Sequence, residues 1–297
     1  MAASSDIPPL FDRALVRRRR SRARIEVMDS QFLIARMAED LCDRLAGIER
    51  QFERGAVQGC RGTLFTGILE GEPHARQKIE TLIRCDVAPA LAGPGGVVAD
   101  DELIPFAPAS LSLFLSLGTL HAVDDLPGAL AQIRASLRPD GLFLASFFGG
   151  ETLSELRAAL SAAEIECDGG LSPRVAPFVD VREAAGLLQR VGFALPVVDR
   201  DTVTVTYETP FGLFADLRAM GETNALSARK RVPLRRATLA RALEIYAERF
   251  AEPSGRVRAT FDILTLTGWA PHESQQVPLK PGSARTRLAD ALKRDGD

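Results

Sequence analysis

Two uninterrupted apolar runs, Leu111 to Leu117 and Leu142 to Phe148, flank a segment in which Leu126, Leu130, Ile133 and Leu137 recur at steps of four, three and four. Short apolar runs with polar boundaries fit strands covered on both faces of a parallel sheet. The spacing between them puts one apolar stripe on a helix. Asp124 or Asp125 is placed to cap that helix, and Arg138-Pro139-Asp140-Gly141 is expected to stop it before the second strand. A right-handed crossover of this strand, helix, strand unit leaves the carboxyl end of the first strand, Gly118-Thr119-Leu120-His121, open as a ligand crevice.

The same patterning extends along the chain. From Asp29, a plausible cap, to Ile48, the residues Leu33, Met37, Leu41 and Leu45 form a helical stripe, with Gly47 as a stop signal. A strand from Phe52 runs into a turn holding Gly59 and Gly62, followed by an apolar stretch with Leu64, Phe65, Ile68 and Leu69. Such a turn at a helix start brings backbone N–H groups close to a ligand. Strands over Ile79–Cys85 and Gly96–Ala99 would end in Asp86 and Asp100, where acids can bind ribose hydroxyls or an exocyclic amine. Further helices are predicted over 151–165, 211–220 and 234–250. Another follows Asp180 and Glu183, which have capping-box spacing, and closes at Gly192. The runs 193–198 and 202–207 read as strands, the latter a half-exposed edge with Thr202, Thr204 and Thr206 on one face. A late antiparallel strand is expected over Arg256–Trp269, and an irregular tail from Pro271.

Composition changes little in this picture. The 297 residues are 46% hydrophobic and 26% charged, which suits a soluble globular chain of one large domain with additions, or of two domains. No apolar run approaches the roughly 18 to 20 residues that span a bilayer, and the start is a poor organelle presequence, so a cytoplasmic location is expected. Four scattered cysteines without CxxC spacing predict reduced thiols and no zinc knuckle. No metal site is predicted. The net charge of -2 hides six arginines between Arg17 and Arg24, namely Arg17, Arg18, Arg19, Arg20, Arg22 and Arg24. They read as a solvated start to a helix, or as a contact for an acidic protein or an anionic membrane surface. No aromatic residues interleave them, so nucleic acid is not the expected partner.

Several stretches together resemble the class I S-adenosylmethionine-dependent methyltransferase fold, and more narrowly the family of complex I assembly factor 5 and its bacterial relatives. That family is itself similar to the malonyl-carrier-protein methyltransferase of biotin synthesis. The stretches are Phe11-Asp12-Arg13, the segment from Leu120 to Gly128 (LHAVDDLPG), LRPDG from Leu137, DLRAMGETNA from Asp216, and the ending ATFDILTLTGWAPHESQQVPLKPGSA. LRPDG is shared widely among methyltransferases; the late motifs are specific to the family. The resemblance implies a Rossmann-like α/β fold with a seven-stranded sheet whose last strand is antiparallel. It also implies two helices inserted before that strand as a lid. The division expected is an N-terminal basic, helical extension (1–50), a methyltransferase core (51–207), a helical lid (208–255), the last core strand (256–270) and a tail (271–297).

By the same resemblance S-adenosyl-L-methionine is the cofactor, contacted by Gly59, Gly62, Asp86, Asp100 and Gly118. The partner implied is a subunit of a respiratory complex, with peripheral contact at the inner membrane through the arginine run. The glycine loop departs from the family pattern. Val57 stands in the place of the usual acid, Arg61 in that of the second glycine and Thr63 in that of the third, while Ser112 replaces an aspartate of the fourth strand. Weakened cofactor binding is therefore expected. Methyl transfer from a sulfonium depends on positioning more than on side-chain machinery, so no catalytic residue is assigned. His121 is the candidate base, and His121, Glu222, Asn224, Trp269 and His272 are candidates for the acceptor site, on the expectation that 216–225 and 268–276 converge over the pocket. Three readings stand: a methyltransferase for a protein or small-molecule acceptor, an assembly factor or arginine hydroxylase for a complex I subunit, and a non-catalytic binding protein with a degenerate loop. No two-His-one-carboxylate pattern appears; His121 with Asp124 or Asp125 supplies part of one.

Overall fold

The computed structural model describes residues 8–23 and 28–276. The chain begins with α1 (Arg13–Arg20), a 3-10 turn at Met28–Gln31 and α2 (Phe32–Ala46). Then come β1 (Phe52–Gln58), α3 (Leu64–Gly71), α4 (Pro73–Arg76), β2 (Ile79–Asp86), α5 (Pro89–Ala92) and β3 (Val97–Val98). They are followed by β4 (Leu111–Leu117), α6 (Leu126–Ser136), β5 (Leu137–Gly149), α7 (Ser154–Asp168), α8 (Val181–Val191) and β6 (Ala194–Tyr207). Two further helices, α9 (Pro210–Met220) and α10 (Arg236–Phe250), precede β7 (Val257–Trp269).

All seven strands form one sheet in the order β3-β2-β1-β4-β5-β7-β6. β7 runs antiparallel to both its neighbours, while β1 to β5 pair in parallel, which is the Rossmann-like sheet with a reversed last strand expected above. Strand order reverses between β1 and β4, and at such a switch point the carboxyl ends of the two strands part to leave a crevice.

Side chains alternate across this sheet with the strand period of two. Val57, Leu113, Leu115, Leu142 and Leu144 face the core under α2, α3 and α7, whereas Ala56, Phe114, Phe143 and Ala145 face the core under α6 and α8. Leu33, Met37, Leu41 and Leu45 of α2 are all buried, as their stripe predicts. Asp125 caps α6 through the Gly128 N–H (2.8 Å), and Asp180 and Glu183 complete the capping box of α8. The threonine face of β6 is exposed at the sheet edge.

Several boundaries differ from those read in the pattern. LRPDG does not separate helix from strand: β5 begins at Leu137, which pairs with Leu111, and a register shift absorbs the Pro-Asp-Gly turn as an irregularity in the strand. Asp140 adopts the left-handed conformation there, and its N–H reaches the Ala270 carbonyl at 3.0 Å. The runs 193–198 and 202–207 form one strand because β7 supplies a continuous partner from Val257 to Trp269. The 3-10 turn precedes α2, so its N-cap is Gln31, without a side-chain cap, rather than Asp29. No helix among the described residues is long and apolar enough to cross a membrane. Cys42, Cys60 and Cys85 are free and buried, and burial pushes each thiol up to about 12. The tail beyond 276 lies outside the described residues.

Phe143 sits where the α6/α8 core is most aromatic, stacked on Phe193 at 5.1 Å and tilted against Phe114 at 6.4 Å. Phe143→Ala is expected to cost about 3–5 kcal/mol through lost burial and the cavity left behind, read as a lower urea midpoint with an unchanged m-value.

Candidate functional site

Between the carboxyl ends of β1 and β4 the main chain approaches itself closely. Gly59 has φ +80°, and a Cβ there would lie 2.3 Å from the Leu117 carbonyl oxygen, so only glycine lets the first loop pass the fourth strand. The loop retains its left-handed turns at Arg61 and Gly62, although Arg61 carries a side chain. Its N–H groups are spent internally. Gly59 donates to the Cys85 carbonyl (2.9 Å), Gly62 to that of Leu91 (2.7 Å), and Arg61 to Asp86 Oδ2 (2.9 Å). Asp86 Oδ1 in turn accepts from Val87 N (2.8 Å). Burial raises the Asp86 pKa above its ordinary value, despite the Arg61 N–H and the nearby guanidiniums.

The crevice itself holds a buried charge network. Arg61 reaches across to the end of α9, donating to the Met220 carbonyl (2.6 Å) and to Glu222 Oε1 (2.6 Å), and it also approaches the Gly118 carbonyl (3.3 Å). Glu222 Oε2 faces His121 Nε2 at 2.8 Å. Arg20 enters from α1, pairing with Asp101 Oδ2 (2.7 Å) and approaching the same Gly118 carbonyl (3.3 Å). Asp101 Oδ1 accepts from Gln58 Nε2 (2.8 Å), and Arg13 binds Asp100 at 2.5 Å. Burial acts to raise the Glu222 pKa, but the pairing and hydrogen bond with His121, then Arg61 and Arg20, outweigh it and hold the carboxyl well below the usual range. For Asp100 the burial penalty is outweighed by the Arg13 hydrogen bond, so its pKa falls.

Beyond His121 lies a cavity of about 350 Å³. Its walls are mostly apolar: Phe148, Leu156 and Phe261 come from the core, Phe178 from the loop before α8, and Phe214 and Leu217 from α9. The His121 ring meets Phe148 edge-on at 5.2 Å, and its Nδ1 is buried with no hydrogen-bond partner among the described residues. The cavity thus has a polar inner end made by His121 and Glu222.

The predicted site residues fall into separate groups. Gly59, Gly62, Asp86 and Gly118 lie at or past the ends of β1, β2 and β4, Asp100 follows the edge strand β3 and is held by Arg13, and His121, Glu222 and Asn224 line the cavity. Asn224 has both amide atoms engaged, Nδ2 on the Pro173 carbonyl and Oδ1 on Leu226 N, which fixes the turn after α9. Trp269 and His272 lie at the other end of the sheet. Because β7 is antiparallel, Trp269 pairs with Leu142 at the start of the core run of β5, under the Arg50 guanidinium, so 216–225 and 268–276 do not converge. His272 bonds with Ser274. Asp124 accepts from Phe11 N and Asp125 caps α6, so both serve structure. Among the described residues, no three His, Cys, Asp or Glu side chains gather as a metal site.

Arg17, Arg18 and Arg22 are exposed as a solvated run requires, but Arg20 is 3% exposed and belongs to the crevice; Arg24 lies outside the described residues. Its role was readable only in the four-residue step from Val16, which puts both on the buried face of α1. Asp101, Gln58 and the wall residues Phe148 and Phe178 carried no motif.

Side chains fill the crevice in which the implied cofactor would bind. The loop N–H groups that would face a ligand are used internally, Asp86 and Asp101 are buried and satisfied, and the guanidiniums of Arg61 and Arg20 occupy the crevice beside Gly118.

A methyltransferase-domain family profile matches residues 72–145. Among solved structures, a Bacillus halodurans protein described as a methyltransferase superposes with a TM-score of 0.53 at 11% identity, covering 79% of this chain and 99% of that one. YcgJ protein from Bacillus subtilis gives 0.52 at 11% identity, over 79% and 98%. Both show the fold. The mitochondrial arginine-hydroxylase NDUFAF5 of Danio rerio is 36% identical over 96% of this chain and 90% of its own length, and that of Homo sapiens 36% over 95% and 83%. A malonyl-[acyl-carrier protein] O-methyltransferase of Halorhodospira halophila is 35% identical over 61% of this chain and 60% of its own length. With the fold, the switch-point loop and this near full-length similarity in agreement, the chain belongs to the methyltransferase-like family of NDUFAF5, complex I assembly factor 5.

Proposed function

We propose that the protein is an assembly factor that modifies an arginine side chain of a respiratory-complex subunit, with Glu222 as the seat of the guanidinium. One observation carries this reading: a buried, ionised carboxylate already grips a guanidinium, that of Arg61, at the inner end of an apolar cavity. Exchanging Arg61 for the arginine of a partner keeps the buried charge balance, which avoids the cost of stranding a charge in a low-dielectric site. The apolar walls can take the aliphatic stem of such a side chain. His121 holds Glu222 through Nε2 and leaves Nδ1 for an incoming polar group. Hydroxylation of the arginine follows the curated relatives, which are named arginine-hydroxylases; it would insert one oxygen atom of dioxygen, the other leaving as water with two protons and two electrons from an external reductant.

Methyl transfer to an acceptor in the cavity is the second reading, supported by the methyltransferase-domain match and the fold. S-adenosyl-L-methionine would be its cofactor, supplying the methyl group. In this reading Asp100 and Gly118 remain the contacts for the nucleoside and methionyl ends, once Arg13, Arg20 and Arg61 withdraw. A peripheral position at the inner membrane, reached through the exposed arginines of α1, suits either reading.

Three measurements test these statements. Capture of partners by the full-length protein, followed by mass spectrometry, should show one arginine of one partner gaining the mass of an oxygen atom, and Glu222→Gln should abolish the gain. A methylene increment instead supports methyl transfer, and partners captured unmodified by both proteins would leave a binding protein without catalysis. Calorimetry should show that Arg61→Gly raises affinity for S-adenosyl-L-methionine about tenfold or more, since it removes a buried ion pair that the cofactor must otherwise break. Val57, fully buried in the core, is left unchanged for this test. Tight binding by the unaltered protein would contradict an occluded crevice.

The third measurement concerns stability. A carboxyl whose folded-state pKa is depressed stabilises the fold above its unfolded value, near 4.3, and this contribution is lost as the pH falls through the folded value. Glu222→Gln should therefore cost about 3 kcal/mol at neutral pH, where Arg61 is left buried without its counter-charge. The gap between the two proteins should narrow as the pH drops below about 4. A gap independent of pH would mean that Glu222 is not ionised in the fold.

A further inference from the structure

The end of α1 and the outer side of α9 enclose a second recess, lined by Arg19, Arg22, Arg218, Ser30, Thr223 and Asp216. It adjoins the cavity, because Arg218 and Thr223 line both. Three arginines and one aspartate line it, and none of the three arginines is ion-paired among the described residues. Their neighbours differ, since Arg13, Arg20, Arg61, Arg174 and Arg229 each hold a carboxylate. Nη1 of Arg19 is buried and lacks any hydrogen-bond partner among the described residues. Burial, then the charges of Arg229 and Arg18, lower the pKa of that guanidinium, and Asp12 opposes them only in part.

Basic residues in the last turn of a helix complement its carbonyl end, and this accounts for part of the run in α1. It does not account for a guanidinium nitrogen buried with no acceptor, or for Arg218 of α9 lining the same recess. A buried donor left unpaired is costly, and a planar or tetrahedral oxyanion is the group that satisfies several guanidiniums at once. A recess between two helices is also not a surface that a flat bilayer can enter, whereas a side chain can.

We propose that Arg19, Arg22 and Arg218 form an oxyanion site that takes a carboxylate side chain of the protein segment presenting the acceptor group to the cavity. The proposal deepens the reading given under Proposed function and rests on it for what carries the oxyanion, but not for the site itself. It implies that the partner offers an arginine and an acidic residue together, the first for the cavity and the second for its rim.

The site is tested first with inorganic phosphate as a minimal oxyanion, titrated into the full-length protein at low ionic strength and followed by phosphorus NMR line width. Saturable binding is expected. Arg19→Gln with Arg218→Gln should weaken it about tenfold or more, the loss expected for charge-assisted hydrogen bonds. Arg218→Lys should retain part of it, and Arg36→Gln, on a surface pair with Asp201, should leave it unchanged. Absence of saturable binding by the unaltered protein, or equal weakening by Arg36→Gln, overturns the site. The carrier is tested with sets of four synthetic peptides, alike except for Arg or Gln at one position and Glu or Gln at another, one set for each register from one to four residues apart. A gain in affinity from Glu that disappears in the double variant supports the proposal. Phosphatidylserine vesicles that bind only the unaltered protein, with no effect of Glu in any register, overturn the assignment to a protein carboxylate. Affinity that depends on Glu but not on Arg would remove the arginine-acceptor reading while the oxyanion site stands.

Discussion

The ion pair between Arg61 and Glu222 joins parts of the chain that lie far apart in sequence. Arg61 belongs to the loop after β1, Glu222 to the turn after α9, and the Gly118 carbonyl that Arg61 also approaches ends β4. Arg20 adds α1 to the same point, and its guanidinium is held protonated against burial by Asp101, Glu222 and Asp86. Such a network is expensive to bury and expensive to break, because removing one member strands its partner in a low-dielectric interior. Its value is therefore in specifying arrangement more than in adding stability: the lid turn, the first helix and the two central strands can meet in this register only when each charge finds its counterpart.

The loop shows how a nucleotide-binding turn can be kept while its chemistry changes. Positive φ at Gly59, Arg61 and Gly62 preserves a glycine-rich path, even though a side chain in the left-handed region costs roughly 1–2 kcal/mol. Arg61 offsets that cost with side-chain bonds to Met220, Gly118 and Glu222. In the place of an acid, Val57 has turned into the core and is fully buried, leaving no carboxylate at that position of the loop. The backbone conformation is that of a ligand cradle, and the side chain fills it.

Much of the scaffold was legible because periodicity reports burial directly. The runs at β4 and β5, the stripe of α2, the capping box of α8 and the threonine edge of β6 all follow from which residues must avoid water or satisfy a helix end. The site was legible where a motif fixed a loop, at Gly59, Asp86 and Gly118, and where family-specific stretches marked His121, Glu222 and Asn224, which line the cavity. Arg20 was not, since a run of arginines reads as one solvated face, and the helical step that buries one of them is hidden among identical neighbours. Trp269 was misplaced for a different reason: that it belongs to a family-specific stretch says nothing of which end of the sheet it reaches, which is settled by the direction of β7.

The cavity draws its walls from two sources, and this division bears on how recognition is built. Phe148 and Phe261 are fixed by strand pairing, because they lie on β5 and β7 in the central sheet. Phe214, Leu217, Leu234 and Leu239 come from the insertion between β6 and β7, and α10 within that insertion lies along α7. The inner, polar end is thus shared, His121 coming from the turn after β4 and Glu222 from the turn after α9, whereas much of the outer shape is set by α9 and α10. A fold that carries many chemistries gains its specificity in this way, from sites grafted onto a common frame. Here the segment between β6 and β7 also supplies Glu222, so the residue that holds the guanidinium comes from the same stretch as part of the walls, and through Arg61 and His121 it ties that stretch to the central strands.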